Sequence, residues 1–517
     1  MTMHHTATAG ALLGESAHRE RCDHTTIVYG GGLLLLASAV GNGLNYLFGI
    51  FLARMLGVEV FGLYALALTI FNVMSLAVIF GMDVGMVKFI SHHLAEGQRA
   101  KARDTIVAAV TLSFGTGLVA AVALALCADP IAVGFYHKPE LVVCLVLFSL
   151  AIPLVTVTNV LIAALQAHQT VRSTIMIKYL WEPIGKFVFA GGFVWAGYEL
   201  LGVLAALLLV LVVSATLAMV SVYRLIVGGV DGPTSRMQEA KTLVAYCLPL
   251  TISNVFGVVA PRTDIMLLGY WISAQEVGVY LAAFQTAAIL SLVLGAFVTG
   301  AAPILSRAWS QHSHARLQDS YQTVARLSVT MSLPIFCGLI LFAEDILRMF
   351  GPEFVVGVPA LIVLAIGQIF NNATGSANTV LLMAGHSRLV MTNTILMGLV
   401  LLIATTISIP LWGIMGAALA ASGTFVVTNL VRVIQVWKLL HVQPYTWELL
   451  KPVAASICAI LVVSAVSASG VAVPFSILWM LLTVLYLAGL LVLKINLQDR
   501  LAIQSLITRM NPGIGST

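Results

Sequence analysis

The sequence predicts an all-α polytopic membrane protein, with about fourteen transmembrane helices arranged as two six-helix lobes and a C-terminal helix pair. Three observations predict this class. Of the 517 residues, 60% are hydrophobic and 9% charged, where an ordinary soluble domain carries about 25% charged residues. Apolar windows of about 20 residues, enough to cross a bilayer core of about 30 Å as helix, recur along nearly the whole chain. The third is a long-period repeat. FLARMLGVEVFGLYALA at 51–67 and TDIMLLGYWISAQEVGVYLAAF at 263–284 place Gly62 and Tyr64 where Gly278 and Tyr280 stand. Such a repeat implies two equivalent bundles, with function expected in the space between them. The apolar runs are continuous and rich in Leu, Ala and Val, unlike the alternating strands of an outer-membrane barrel.

Each element follows in order. Residues 1–26, with His4, His5, His18 and His24 among small and polar residues, lack the apolar core of a signal peptide and read as a flexible cytoplasmic tail. The first lobe, 27–226, opens with helices at about 27–53 and 60–83, joined by a short turn. A polar connector follows at 88–104, lying along the membrane surface, and then helices at about 105–128, 141–163, 174–198 and 200–224. Gly228, Gly229, Asp231, Gly232 and Pro233 mark 227–241 as a cytoplasmic linker. The second lobe, 242–440, repeats the rhythm at about 242–271, 277–302, 322–343, 357–384, 389–411 and 413–437, with its own polar connector at 307–321. Residues 441–495 hold helices thirteen and fourteen, and 496–517 form an amphipathic tail with Leu497, Leu501, Leu506 and Ile507 on one face.

The net charge of +5 matters less than its distribution. One set of connectors collects most of the 26 Lys and Arg, and the other has only Arg54, Lys138 and Arg348. That asymmetry puts both termini in the cytoplasm and requires an even number of crossings. The six cysteines are scattered, with no CxxC or Cys/His pairing, so neither a disulfide framework nor a metal site is expected.

The repeated segments carry a family resemblance. Asp264, Leu268-Gly269-Tyr270, Ala274 and Glu276-Val277-Gly278-Val279-Tyr280, together with Arg54, Leu56-Gly57, Phe61-Gly62-Leu63-Tyr64 and Gly81-Met82-Asp83, resemble the Wzx-like bacterial polysaccharide flippases. That family lies in the MOP superfamily with MATE drug exporters and the lipid II flippase. The resemblance implies two lobes around a central cavity in the bacterial inner membrane. It also implies a cargo, an undecaprenyl-diphosphate-linked oligosaccharide repeat unit moved from the cytoplasmic to the periplasmic leaflet for surface polysaccharide. Membrane lipids, a polysaccharide polymerase and glycosyltransferases of the same pathway are the implied partners, with no nucleic acid. No covalent bond changes and no cofactor is expected; a H+ or Na+ gradient or the membrane potential would drive the step.

Ionisable side chains inside the helices single out candidate sites, since each costs about 2.5–3.5 kcal/mol at a helix centre and normally faces protein or water. Lys178, Glu182 and Lys186 fall at successive i, i+4 spacings on one face of the fifth helix, beside Pro183. Two cations and one carboxylate suit a diphosphate; alternatively Lys178 snorkels and Glu182 with Lys186 forms a structural pair. Glu182 is the first candidate for ion coupling. Arg262 is the cavity candidate of the seventh helix. Asn42 and Asn45 in the first helix, and Gln368, Asn371, Asn372 and Asn378 in the tenth, either contact sugar hydroxyls or hydrogen-bond between helices. Gate candidates are Asp83, Lys88, Arg54 and Asp264.

Competing functions are weighed on the same residues. A cation-drug exporter would want an acidic or apolar cavity, whereas Lys178, Lys186 and Arg262 outnumber Glu182 and Asp264. An enzyme acting on lipid-linked sugars generally needs a sizeable outer loop, and the outer connectors are short. Gly30-Gly31-Gly32 lacks the Lys-Ser/Thr of a phosphate-binding loop, which disfavours ATP-driven transport.

Overall fold

The computed structural model describes residues 4–168, 170–228, 236–468 and 473–493. The linker at 229–235 and the expected amphipathic tail at 496–517 lie outside the described residues. Before the linker come α1 (His4–Val78), α2 (Met82–Ala95), α3 (Arg99–Leu126), α4 (Leu141–Ala167), α5 (Val171–Thr174), α6 (Glu182–Trp195) and α7 (Glu199–Val222). After it come α8 (Arg236–Val259), α9 (Thr263–Trp271), α10 (Ala274–Ser310), α11 (His314–Leu341), α12 (Ala343–Arg348), α13 (Val358–Ala373) and α14 (Ala377–Met383). The chain continues through α15 (Ser387–Leu440), α16 (Leu450–Ala468) and α17 (Phe475–Val492). No strand occurs among the described residues.

Among the described residues, ten helices are long and apolar enough to cross a bilayer. Two of them, Leu36–Val78 with 43 residues and Ser387–Leu440 with 54, reach about 65 and 80 Å at 1.5 Å per residue, some twice a bilayer core or more. Each contains one non-helical residue, Gly57 (φ 77) in α1 and Gly413 (φ 54) in α15. A side chain at such φ would strain the backbone, so glycine marks where each long helix breaks. The tenth predicted helix is also divided. α13 stops at Ala373 and α14 starts at Ala377, with Gly375 packed on Ala325 between them, so the polar residues from Gln368 to Asn378 do not form one continuous stripe.

The second copy of the repeat forms a sharp hairpin. Ser273 caps α10: its Oγ accepts from Glu276 N at 3.3 Å, while Glu276 Oε2 accepts from Ser273 N at 3.2 Å. This reciprocal capping box satisfies two donors that the helix start leaves orphaned. The two repeats then meet face to face. A Cβ on Gly62 would lie 1.8 Å from Ala274 O, and one on Gly278 would lie 2.4 Å from Val58 O. Only glycine permits this approach, which explains why the motif recurs at both places.

The end of the bundle carrying Gly57 and Ser273 is the hairpin end, and the opposite end, carrying α2 and the start of α8, is the connector end. At the hairpin end a single apolar core joins both lobes, combining Leu52, Phe61 and Phe148 with Ile265, Tyr280 and Leu361. At the connector end there are two separate cores, one around Met86, Ile90 and Leu161, the other around Leu305, Tyr321 and Leu381. The lobes therefore share one core at the hairpin end and keep separate cores at the connector end. A further core docks α16 and α17 on α11, where Tyr486 donates to Thr330 O at 2.7 Å and Trp479 covers Gly338.

The helix after the linker does not sort with its own half along its full length. Leu243 and Cys247 of α8 sit in the first lobe's core, while α9, which continues the same crossing, packs on α15 of the second lobe.

Candidate functional site

The first-lobe candidates are set by an irregular helix. Pro183 has no N–H to give to the preceding turn and its ring crowds the carbonyl of Tyr179. The chain widens there into a π-helical turn, Ile175–Trp181, before α6 begins at Glu182. Lys178, within that turn, lies 3.1 Å from Glu182 Oε1 and donates to Asn159 Oδ1 of α4 at 3.4 Å. Lys186 reaches across to the first helix instead, donating to Asn45 Oδ1 at 3.1 Å. Asn45 is held in turn by its Nδ2 bond to Gly41 O, 2.9 Å, and Gly41 packs directly on Tyr179. The buried Glu182 thus neutralises Lys178, and Lys186 has an amide partner but no ion pair among the described residues. Asn42 is exposed, with no hydrogen bond among the described residues.

In the second lobe the polar residues divide. Asn372 is fully buried and donates to Leu290 O at 2.8 Å and Ser332 Oγ at 2.6 Å, so it ties α13 to α10 and α11. Asn371 Oδ1 accepts from Asn429 Nδ2 of α15 at 2.9 Å. Gln368 Oε1 and Asn378 Oδ1 are buried without a partner among the described residues, free acceptors of the kind a ligand hydroxyl can satisfy. Arg262, half-buried at the junction before α9, makes no hydrogen bond or ion pair among the described residues. Asp264 is buried behind it, taking the Tyr280 hydroxyl at 2.6 Å and Ile265 N at 2.8 Å.

The gate candidates fall at opposite ends. At the hairpin end Arg54 Nε donates to Met349 O at 2.6 Å and its Nη2 to Arg348 O at 3.1 Å, both at the carboxy end of α12. At the connector end Lys88 and Asp83 form no ion pair among the described residues. Lys88 Nζ instead stands 3.9 Å above the Tyr246 ring of α8, while Asp83 Oδ1 is buried without a partner among the described residues.

These side chains sit on a framework whose ancestry the sequence comparisons identify. The profile of the polysaccharide biosynthesis protein family matches residues 27–309. The chain belongs to that family. The MatE profile matches residues 249–408 as well. The probable low-salt glycan biosynthesis flippase Agl15 of Haloferax volcanii is 22% identical over 403 residues, 77% of this chain and 81% of that protein. The succinoglycan biosynthesis transport protein ExoT of Rhizobium meliloti is 25% identical over 350 residues, 66% of each chain. Among solved structures, the lipid II flippase MurJ in an inward closed conformation aligns with TM-score 0.71 at 14% identity, over 88% of this chain and 97% of MurJ. An inward-facing multidrug resistance MATE transporter aligns with TM-score 0.66 at 16% identity, over 79% of this chain and 98% of the transporter. These structural likenesses show that the chain shares the all-α fold of those two proteins.

Three contacts in this polysaccharide biosynthesis family member are absent from the sequence-level candidates. Lys138, in the connector between α3 and α4, donates to Gly269 O at 2.6 Å, Ile272 O at 2.9 Å and Tyr136 O at 3.3 Å. Burial pushes its ammonium below the ordinary lysine range. His93 Nε2 and Thr105 Oγ1 both meet Glu239 Oε2 at 3.2 Å, pinning the start of α8 to α2 and α3. Tyr46 OH and Thr286 Oγ1 are 3.0 Å apart between α1 and α10. Apart from the Lys138–Tyr136 contact, every one of these pairs spans more than 130 positions, and no local pattern announces them.

Proposed function

We propose that this chain flips an undecaprenyl-diphosphate-linked oligosaccharide repeat unit from the cytoplasmic to the periplasmic leaflet of the bacterial inner membrane. The observation that carries the reading is the surplus of positive charge on membrane-embedded elements. Lys186 is bound only to an amide, and Arg262, though it feels the charge of Asp264, makes no hydrogen bond or ion pair among the described residues, so two cations stand ready for an anion. A low-dielectric site strengthens their attraction for a diphosphate. The glycan relatives support the cargo class.

In this reading the chain crosses fourteen times with both termini cytoplasmic, so the hairpin end is periplasmic and the lobes stand apart on the cytoplasmic side. The diphosphate displaces Asn45 from Lys186 and draws Arg262 across from the second lobe, closing the lobes over the sugar. Asn42, Gln368, Asn371 and Asn378 take sugar hydroxyls, and the polyprenyl tail stays in lipid. Glu182 changes partner when phosphate competes for Lys178, and it takes up a proton at that moment. A Na+ gradient or the membrane potential is the alternative drive. The step breaks no bond, and the polymerase and glycosyltransferases of the pathway act before and after it.

Deletion in the native host tests the reading. Undecaprenyl-linked repeat units should accumulate on the cytoplasmic leaflet while surface polysaccharide disappears. Complementation with Lys186→Gln should restore less than about a tenth of the polysaccharide, since a charge-assisted phosphate contact is worth about 1.5–3 kcal/mol. Unchanged polysaccharide together with new drug sensitivity would establish an exporter instead.

A further inference from the structure

Two first-lobe cations at the hairpin end share an unusual choice of partner. Lys138 and Arg54 both ignore the nearby carboxylates and bind backbone carbonyls of the second lobe. Lys138 takes Gly269 O and Ile272 O, the last acceptors of α9. Arg54 takes Arg348 O and Met349 O, the last acceptors of α12. The final turn of a helix leaves carbonyls with no partner inside the helix, and its dipole favours a cation there. Each cation therefore completes a helix that belongs to the other lobe. Lys138 shares a cleft with Leu63 and Ala274, which adjoin the Gly62–Gly278 seam, and Arg54 stands three residues before Gly57 on the first hairpin. At the connector end the two lobes keep separate cores.

We infer that Lys138 and Arg54 are the closing residues of the transport cycle, clasping the hairpin end shut by capping the carboxy ends of second-lobe helices α9 and α12. When the lobes rock over, α9 and α12 lose these caps and water must replace them at four carbonyls. Carbonyl capping has a consequence that a carboxylate partner would not have. The acceptors are fixed by the backbone, so the clasp has one register and re-forms in the same place each cycle. Lys138 contributes more than Arg54, because Arg54 is exposed and shares its contact with water. Glu59, His137 and Glu140 line the same outer cleft as Lys138, yet none is bonded to it.

The inference rests on the flippase reading above, taken as a cycle in which the lobes open alternately to either side, and its test needs no substrate. All six cysteines are replaced by alanine. Spin labels are then placed at Val133 in the first lobe and Val356 in the second, both exposed at the hairpin end (46% and 76%). Distances between the labels are measured in full-length protein in lipid nanodiscs. The parent should show one dominant short distance. Lys138→Met should raise the long-distance population roughly tenfold, Arg54→Met should raise it less, and Lys138→Arg should restore the short distance through its own donors. Lys138→Gln serves the same purpose where the Met variant does not fold. Label distances that stay at the parent value in the folded Lys138 variants would overturn the inference. The flippase reading is judged separately by lipid-linked glycan transport, so a shifted distance without glycan transport would sink that reading and leave the clasp standing.

Discussion

Lys186 and Lys138 differ in what they bind. Lys186 meets a side-chain amide that can rotate away, whereas Lys138 meets main-chain carbonyls that cannot. Because the dipole at the carboxy end of α9 favours a cation, Lys138→Gln, which keeps a donor but no charge, should hold labels at Val133 and Val356 at the short distance less often than Lys138→Arg does. The sequence displayed the Lys178–Glu182 pair because four residues separate them on one helix. It could not display Lys138 with Gly269, because 131 positions and a lobe boundary intervene.

Among the elements, the glycine seam between the two hairpins is the part most open to a direct test. A methyl at Gly62 or Gly278 collides with backbone, and backbone cannot swing aside as a long side chain can. Gly278→Ala should cost the closed hairpin end about 1–3 kcal/mol. A cysteine at exposed Met55, beside the seam, should then label faster with a membrane-impermeant maleimide. Unchanged labelling with intact folding would show that the seam gives way without opening. The repeat itself was legible because it is local: Gly62-Leu63-Tyr64 and Gly278-Val279-Tyr280 are short strings at matching places. The broken tenth crossing was not legible. Its polar residues share a face only if the helix is continuous, and the break at 374–376 depends on Gly375 meeting Ala325 of α11. The π-helical turn before Pro183 was half visible, since proline announces a disturbance but not its form.

At the scale of the molecule, one shared core at the hairpin end and separate cores at the connector end make the hairpin end the place where the two lobes are joined. Composition foretold the helices, and the repeat foretold two bundles. Neither foretold where the bundles would separate, because α8 spends its connector half among first-lobe residues and hands the chain to the second lobe only at Arg262. A first-lobe fragment ending at 227 lacks Leu243 and Cys247, both almost fully buried in the intact protein. Burial of a leucine alone is worth about 1.5–3 kcal/mol. A fragment extended to 260 should therefore survive heating in detergent to a higher temperature by size-exclusion fluorescence. Equal survival of the two would mean that α8 merely leans on the first lobe.

That borrowed helix bears on how the molecule can be divided. The repeat marks two halves of the sequence, but the opening helix of the second half supplies Leu243 and Cys247 to the core of the first. The boundary between the halves of the sequence is therefore not a boundary between folding units, and a cut there parts a helix from the core it fills.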